Sequence, residues 1–418
     1  MGKQIGYMQL LRRNKEFRRL FIANEISFIG DWFTVIALFI LAGEASGDSP
    51  LAIAGVLASR SFSLALFTPF TGMLADRFSR RGLMVLANVL SFGILIVVLL
   101  TGVYKTGLVS VYALAVVIVA ARAVHDPAEY AYLPNICNEN ELLTANALAS
   151  GGWSVELGVG AAIGGLTIAE FGITTALWID TTTFLVAALM LSMLPHGGPD
   201  ASERGATTPR VVFHEMVGGW KYILRSPPLR RVVFAKGLWA SGGGAQILIL
   251  ILISAEAGFG EIAAGAIGVL FMVRGFGSGF GPIAGRPLMA NMRLRPYLLG
   301  LAVGTCGAFY VGVSLAEYGG FMLVLIFLAH AASGLNWVLS TTLLQERSAD
   351  EWRGRVAGTD HFVITLMMGI SAVTGGFILT ENILDLRELI AVTGLVQITL
   401  CILWIALVSG PEKRMLQA

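Results

Sequence analysis

Of the ionisable side chains inside apolar runs of this sequence, four are the leading candidates for chemistry: Glu25, Asp31, Arg60 and Arg122. An ionised group at the centre of a bilayer costs about 2.5–3.5 kcal/mol on insertion scales, so each calls for a partner or a use. Asp31 falls mid-way along the run 20–42, about 16 Å from either end at 1.5 Å per residue. Asn24, Ser27, Asp31 and Thr34 lie within about 80° of one another on a helix. That is a polar stripe suited to a cavity wall rather than to lipid. Arg60 matches the depth of Asp31, and Glu25 that of Arg122, which predicts two ion pairs, or one carboxylate shared between two arginines. A carboxylate so placed suits proton carriage, because desolvation favours its protonated form while an approaching arginine or water favours the ionised one. Asp31 and Glu25 meet that requirement. The structural alternative is that a buried acid–arginine pair only locks helix packing.

Other polar residues in apolar runs form a second tier. Glu156 and Asp180 either line a cavity or hydrogen-bond to helix backbones. Arg274 stands among glycines that permit close packing, and His330 reads as a packing residue near mid-depth. Arg122, His125, Asp126 and Glu129 share one helical face, and Asp360 is placed to cap a helix start. Among aromatic residues, Trp32 beside Asp31 is the strongest candidate for a substrate wall.

The elements that must hold these residues are transmembrane helices. Of 418 residues, 56% are hydrophobic and 13% charged, whereas soluble domains carry roughly a quarter charged. The apolar residues fall in blocks of about twenty, the length that crosses a hydrocarbon core of about 30 Å. The predicted spans are 20–42, 51–73, 83–103, 108–128, 147–169 and 173–194, then 232–254, 262–284, 296–316, 320–343, 357–379 and 388–409. Outside the spans the basic residues lie almost wholly on one side, Lys105 and Arg387 excepted, which places both termini in the cytoplasm. The start of the chain carries no signal-peptide pattern.

Residues 195–231 form the one long polar connection, ending in an amphipathic segment. It separates 1–194 from 232–418, each with six spans. The two parts repeat: Gly72 to Arg77 matches Gly281 to Arg286, Glu141 matches Glu351, and Gly164-Gly165 matches Gly375-Gly376, at nearly one separation. The expected fold is an all-α membrane protein of twelve transmembrane helices in two pseudo-symmetric six-helix bundles, with substrate bound near the midplane between them.

A net charge of +2 gives no case for nucleic acid. No phosphate-cradling glycine loop, metal-ligand spacing or nucleophile–base constellation is present, so neither ATP, a metal nor another cofactor is expected, and an enzyme is not.

Gly72-Met73-Leu74-Ala75-Asp76-Arg77-Phe78-Ser79-Arg80-Arg81-Gly82 resembles the signature loop between helices two and three of the major facilitator superfamily, with Ser79 where a second glycine is usual. Gly160-Ala161-Ala162-Ile163-Gly164-Gly165 resembles the fifth-helix motif of its antiporters, with Ala161 in place of proline. Gly30-Asp31-Trp32, Leu133-Pro134 with Ala145-Asn146, and Gly354-Arg355-Val356 resemble the branch holding macrolide and siderophore exporters. The resemblance implies the major facilitator fold, a monomer, and a conformational latch formed by Gly72, Asp76, Arg77, Arg80 and Arg81. It further implies close packing at Gly160, Gly164, Gly165, Gly375 and Gly376. The expected function is export of small amphipathic molecules in exchange for protons, across a bilayer that is the bacterial cytoplasmic membrane. The alternatives are a proton-coupled importer or facilitator, a lysophospholipid transporter, or a sensor that moves nothing.

Overall fold

The computed structural model describes residues 5–196, 209–256 and 263–417. A short helix α1 (Tyr7–Arg13) leads into α2 (Lys15–Ser46), and Asn14 joins them. Its side-chain oxygen accepts from the Phe17 N–H at 2.9 Å, while its amide donates to the Ile136 carbonyl at 2.7 Å and to Glu141 at 3.1 Å. One asparagine thus satisfies an orphan donor of the first turn and ties the first helix to the fifth. Gly47, in the left-handed region at φ 66°, ends α2.

There follow α3 (Pro50–Arg77), α4 (Arg80–Thr101), α5 (Leu108–Ile136), α6 (Glu139–Val155) and α7 (Ala161–Ser192), the last two joined by a π-helical turn over Glu156–Gly160. The connector contributes α8 (Pro209–Arg225). Then come α9 (Pro227–Glu256), α10 (Ala263–Ala284), α11 (Arg286–Ala290), α12 (Arg295–Leu315), α13 (Gly320–Arg347) and α14 (Arg353–Thr380). The chain finishes with α15 (Leu386–Leu403), a second π turn over Trp404–Val408, and α16 (Ser409–Gln417).

Among the described residues, eleven helices are long and apolar enough to cross a membrane, and the chain is a multi-pass membrane protein. One of the eleven, over residues 140–192, runs 53 residues, about 80 Å at 1.5 Å per residue. It is broken at Gly172, whose φ of 79° and ψ of 167° are not helical, between the spans predicted at 147–169 and 173–194. Its length is enough for two crossings of a core of about 30 Å.

α3 lies antiparallel on α14. The Leu51 N–H donates to Thr380 Oγ1 at 3.1 Å, and a Cβ at Gly376 would stand 2.7 Å from that of Ala54. α7 meets α10 through Gly165, where a Cβ would lie 2.5 Å from the Ala264 carbonyl oxygen. These contacts join the two parts of the molecule at the face opposite the chain termini. There the apolar core is one continuous body, running through Phe39, Leu57, Leu177, Leu250, Phe271 and Ile390. Toward the face that carries the termini it divides into separate clusters, the two largest in different parts of the molecule. One is built around Leu20, Met84 and Tyr132, the other around Val233, Leu299 and Leu343.

Two local expectations are corrected. α3 continues through Gly72 to Arg77, so no turn forms at Gly72, and the first turn of α4 is capped by Ser79, which accepts from the Gly82 N–H at 3.2 Å. The surroundings of Gly72 and the side chain of Asp76 lie outside what the structure describes. Gly375 has ordinary room, with its nearest neighbour 3.5 Å from a Cβ, so the close approach in α14 is made by Gly376.

Candidate functional site

The site is built where α2 and α5 face each other. Arg122 Nη1 donates to Asp31 Oδ2, and the guanidinium carbon lies 3.7 Å from the centroid of the Phe28 ring. Arg122 Nε is also 3.8 Å from Asp126 Oδ1, one turn along α5. His125 Nδ1 stands 3.7 Å from Asp126 Oδ1 and 3.9 Å from Glu129 Oε2. Exposure rises along this line, from 11% at the Asp31 side chain through 26% at Arg122 to 51% at Asp126. A buried carboxylate is therefore linked to an open one through a single arginine that touches both. The arginine also has a ring to lean on, and cation–π contact is worth about 0.5–2 kcal/mol according to desolvation.

Pairing by depth was crossed. Asp31 takes Arg122, not Arg60, and Arg60 has Asp180 as a carboxylate within electrostatic reach, with its Nη1 left without a hydrogen bond among the described residues. Glu25 pairs with neither arginine and sits beside Gly152 and Glu156. A Cβ at Gly152 would lie 3.4 Å from Glu156 Oε1 and would collide with Glu25 Oε1, so glycine gives the two carboxylates their place. The reason is geometric: depth fixes a level along the membrane normal, whereas the partner depends on how each helix is turned about its axis.

The polar stripe of α2 also divides among neighbours. Ser27 donates to Asn88 Oδ1 of α4 at 3.1 Å, and Thr34 donates to Asp180 of α7. Thr183 donates to the other Asp180 oxygen at 3.2 Å, and Gly30 admits that carboxylate, since a Cβ there would stand 2.8 Å from Asp180 Oδ1. Asp180 is thus held by side-chain hydroxyls rather than by backbone. Asn24 remains buried with neither amide atom bonded among the described residues. A stripe of 80° is wide enough to serve several interfaces, so only part of it belongs to the site.

Trp32 packs on Phe271 of α10, ring centroids 5.5 Å apart, and against the π turn, where a Cβ at Gly160 would lie 2.8 Å from its Cδ1. Gly164 backs onto Phe33, with 3.2 Å from a Cβ to the Phe33 Cα. His330 bonds Tyr310 through Nε2 at 3.0 Å, which satisfies it as a packing residue, and Arg274 lies within electrostatic reach of both. Arg80 donates to the Ala131 carbonyl and Asn135, both at 2.9 Å, and Arg81 to the Leu194 carbonyl at 2.8 Å. Both arginines therefore brace the ends of α5 and α7 in their own part of the molecule, and among the described residues neither bonds to the other part. No hydrogen bond of Arg77 occurs among the described residues.

A charged pair between two of the long apolar helices escaped the sequence reading. Lys236 of α9 donates to Asp360 of α14 at 2.8 Å. Asp360 is not a cap: α14 opens at Arg353, after a 3-10 turn over Asp350–Trp352, so Asp360 lies two turns inside. Lys236 inside an apolar run was the available signal; its partner was hidden by a misplaced helix start.

A family model described as Major Facilitator Superfamily matches residues 20–372. The chain belongs to the major facilitator superfamily. A Bacillus subtilis (strain 168) protein described as "Uncharacterized MFS-type transporter YfiS" is 28% identical over 390 residues, covering 89% of this chain and 88% of the relative. A Bacillus amyloliquefaciens protein described as "Putative bacilysin exporter BacE" is 25% identical, covering 87% of this chain and 88% of its own. Among solved structures, a peptide transporter POT in complex with sulfate superposes with a TM-score of 0.73 at 12% identity, covering 99% of this chain and 97% of the other. The nucleoside transporter NupG does so at 0.68 and 12%, covering 93% and 98%. At such identities the likeness is one of fold. This member of the superfamily is a membrane transporter, not an enzyme.

Proposed function

We propose that the protein is a proton-driven exporter of small amphipathic organic molecules, working as a monomer in a bacterial cytoplasmic membrane with both termini in the cytoplasm. The bundles at 1–194 and 232–418 rock about a site between them. The observation that carries the reading is the Asp31–Arg122 pair, buried at one end and connected by Arg122 to the half-exposed Asp126. A proton arriving on Asp31 neutralises the carboxylate and releases Arg122 toward Asp126 and the Phe28 ring. Loss of the proton restores the pair. The two positions of one arginine give the protein two states whose balance depends on a proton, as coupled transport requires. The divided core at the terminal face supports a state open to the cytoplasm, ready to take up an outgoing molecule. The exporter name borne by the Bacillus amyloliquefaciens relative supports the direction.

The test is accumulation of a panel of dyes and antibiotics in efflux-deficient bacteria producing wild type, Asp31→Asn or neither, with and without a protonophore. Wild type should lower accumulation of at least one compound, and the protonophore and Asp31→Asn should each abolish the effect at equal protein level. Raised accumulation by wild type would reverse the direction. Undiminished efflux by Asp31→Asn would remove Asp31 as the proton carrier.

A further inference from the structure

The pair between α9 and α14 is built on the same plan as the one between α2 and α5. Lys236 Nζ donates to Asp360 Oδ2 at 2.8 Å and to Thr341 Oγ1 of α13 at 3.0 Å, and lies 4.3 Å from the centroid of the Trp337 ring. The side chains are 2% and 8% exposed. In both pairs a carboxylate meets a cation that also rests on an aromatic ring and touches a second polar group. Those extra contacts are Phe28 and Asp126 for Arg122, Trp337 and Thr341 for Lys236. Each cation keeps partners when its carboxylate is neutralised. Without them, neutralising one member of a buried pair would strand the other as an uncompensated buried charge.

The carboxylate is also left incomplete. Asp360 Oδ1 is buried and accepts no hydrogen bond from the described residues. A pair that served only to lock α9 to α14 would gain by filling that position, since an unsatisfied buried acceptor is destabilising. An oxygen without a donor, on a carboxylate whose cation has other support, is where a proton would sit.

We infer that Asp360 is a second proton-carrying carboxylate, so that each bundle holds one protonation site of its own. The proton adds to Oδ1 and the ion pair opens. Lys236 stays charged, held by Thr341 and the Trp337 ring, and the pair closes again on deprotonation. The charged groups around Asp360 are Lys236 of α9 and His361 on its own helix, with Asp126 of α5 within electrostatic reach of His361 from the other bundle. From α8, Glu215 is taken up by Arg355 at 3.3 Å, more than a turn away along α14. From α13 the partners are the neutral Thr341 and Trp337. Among the described residues α3 and α15 bring no charge into play at Asp360.

The inference rests on the proton-driven reading, and infrared difference spectroscopy on the purified full-length protein separates the two. Stepping the pH in wild type, Asp31→Asn and Asp360→Asn follows the carbonyl stretch of each protonated carboxyl without any substrate. Each variant should lack one titrating band that wild type has, and the two missing bands should differ. Asp360→Glu should keep a band but move it, and that variant keeps the test usable should Asp360→Asn fail to fold. If Asp31→Asn alone loses a band, and Asp360→Glu moves none, the second site is overturned while proton carriage at Asp31 stands. If Asp360→Asn alone loses a band, the second site stands and the role of Asp31 falls.

Discussion

In the proposed mechanism Arg122 is the residue on which coupling turns, because three different groups contact it: the Asp31 carboxylate, the Asp126 carboxylate at 3.8 Å and the Phe28 ring at 3.7 Å. A lysine in its place keeps the charge but presents a point ammonium instead of a planar fork that can bond and stack at once. Arg122→Lys is expected to reduce the efflux rate by about tenfold or more, equivalent to roughly 1.4 kcal/mol, while production and folding remain near wild type. A transport assay beside a thermal-unfolding scan checks this, and full activity in Arg122→Lys would contradict it. Gly30 tests the neighbouring packing. Its missing Cβ makes room for Asp180 and Thr183, so Gly30→Ala should destabilise by about 1–3 kcal/mol through overpacking. An unchanged unfolding temperature would show that the close approach is not required. The candidate acids and arginines were readable because charge inside an apolar run is conspicuous. Their pairing was not readable. Asp31 and Arg60 share a level, yet Asp31 is turned toward α5.

At the scale of elements, the helices associate through glycine rather than through burial of apolar surface from water, since lipid is as apolar as the side chains themselves. The adjacent glycines of α14 make a controlled comparison. Gly376 meets Leu51 and Ala54 of α3, whereas Gly375 has open van der Waals contact. Gly376→Ala is expected to weaken the α3–α14 contact and lower the unfolding temperature of the purified protein, and Gly375→Ala to leave it unchanged. Equal effects would mean that the contact does not hold the molecule together. Most helices were legible from apolar runs and glycine or proline punctuation. The error at Asp360 came from the first turns of α14, where Arg353, Arg355 and Asp360 made the sequence look like a connection although the backbone is already helical. The extension of α3 through Gly72 was hidden in the same way, by a motif polar enough to read as a loop.

For the whole molecule, the apolar core is continuous at one face and divided at the other, so movement between the bundles costs little core packing at the divided end. The face opposite the termini must open if the molecule is to release cargo there. Leu51 and Thr380 are joined by a 3.1 Å hydrogen bond across that closure, and oxidising the pair Leu51→Cys with Thr380→Cys should arrest transport. Reduction should restore it; transport that continues in the oxidised protein would mean that this closure never opens. The repeat read from Gly164-Gly165 and Gly375-Gly376 led to the expectation of matching helices in the two parts. It did not anticipate matching charge sites, because Asp31–Arg122 and Lys236–Asp360 occupy different helix pairs and different residue types.

Proton exchange itself is most directly measured in energised inverted membrane vesicles carrying a fluorescent pH probe, challenged with a compound that the accumulation screen identifies. Wild-type vesicles should lose part of their pH gradient on addition of the compound, and Asp31→Asn vesicles with equal protein content should not. A gradient that is untouched in wild type, or discharged equally well by Asp31→Asn, would contradict proton-driven export through Asp31.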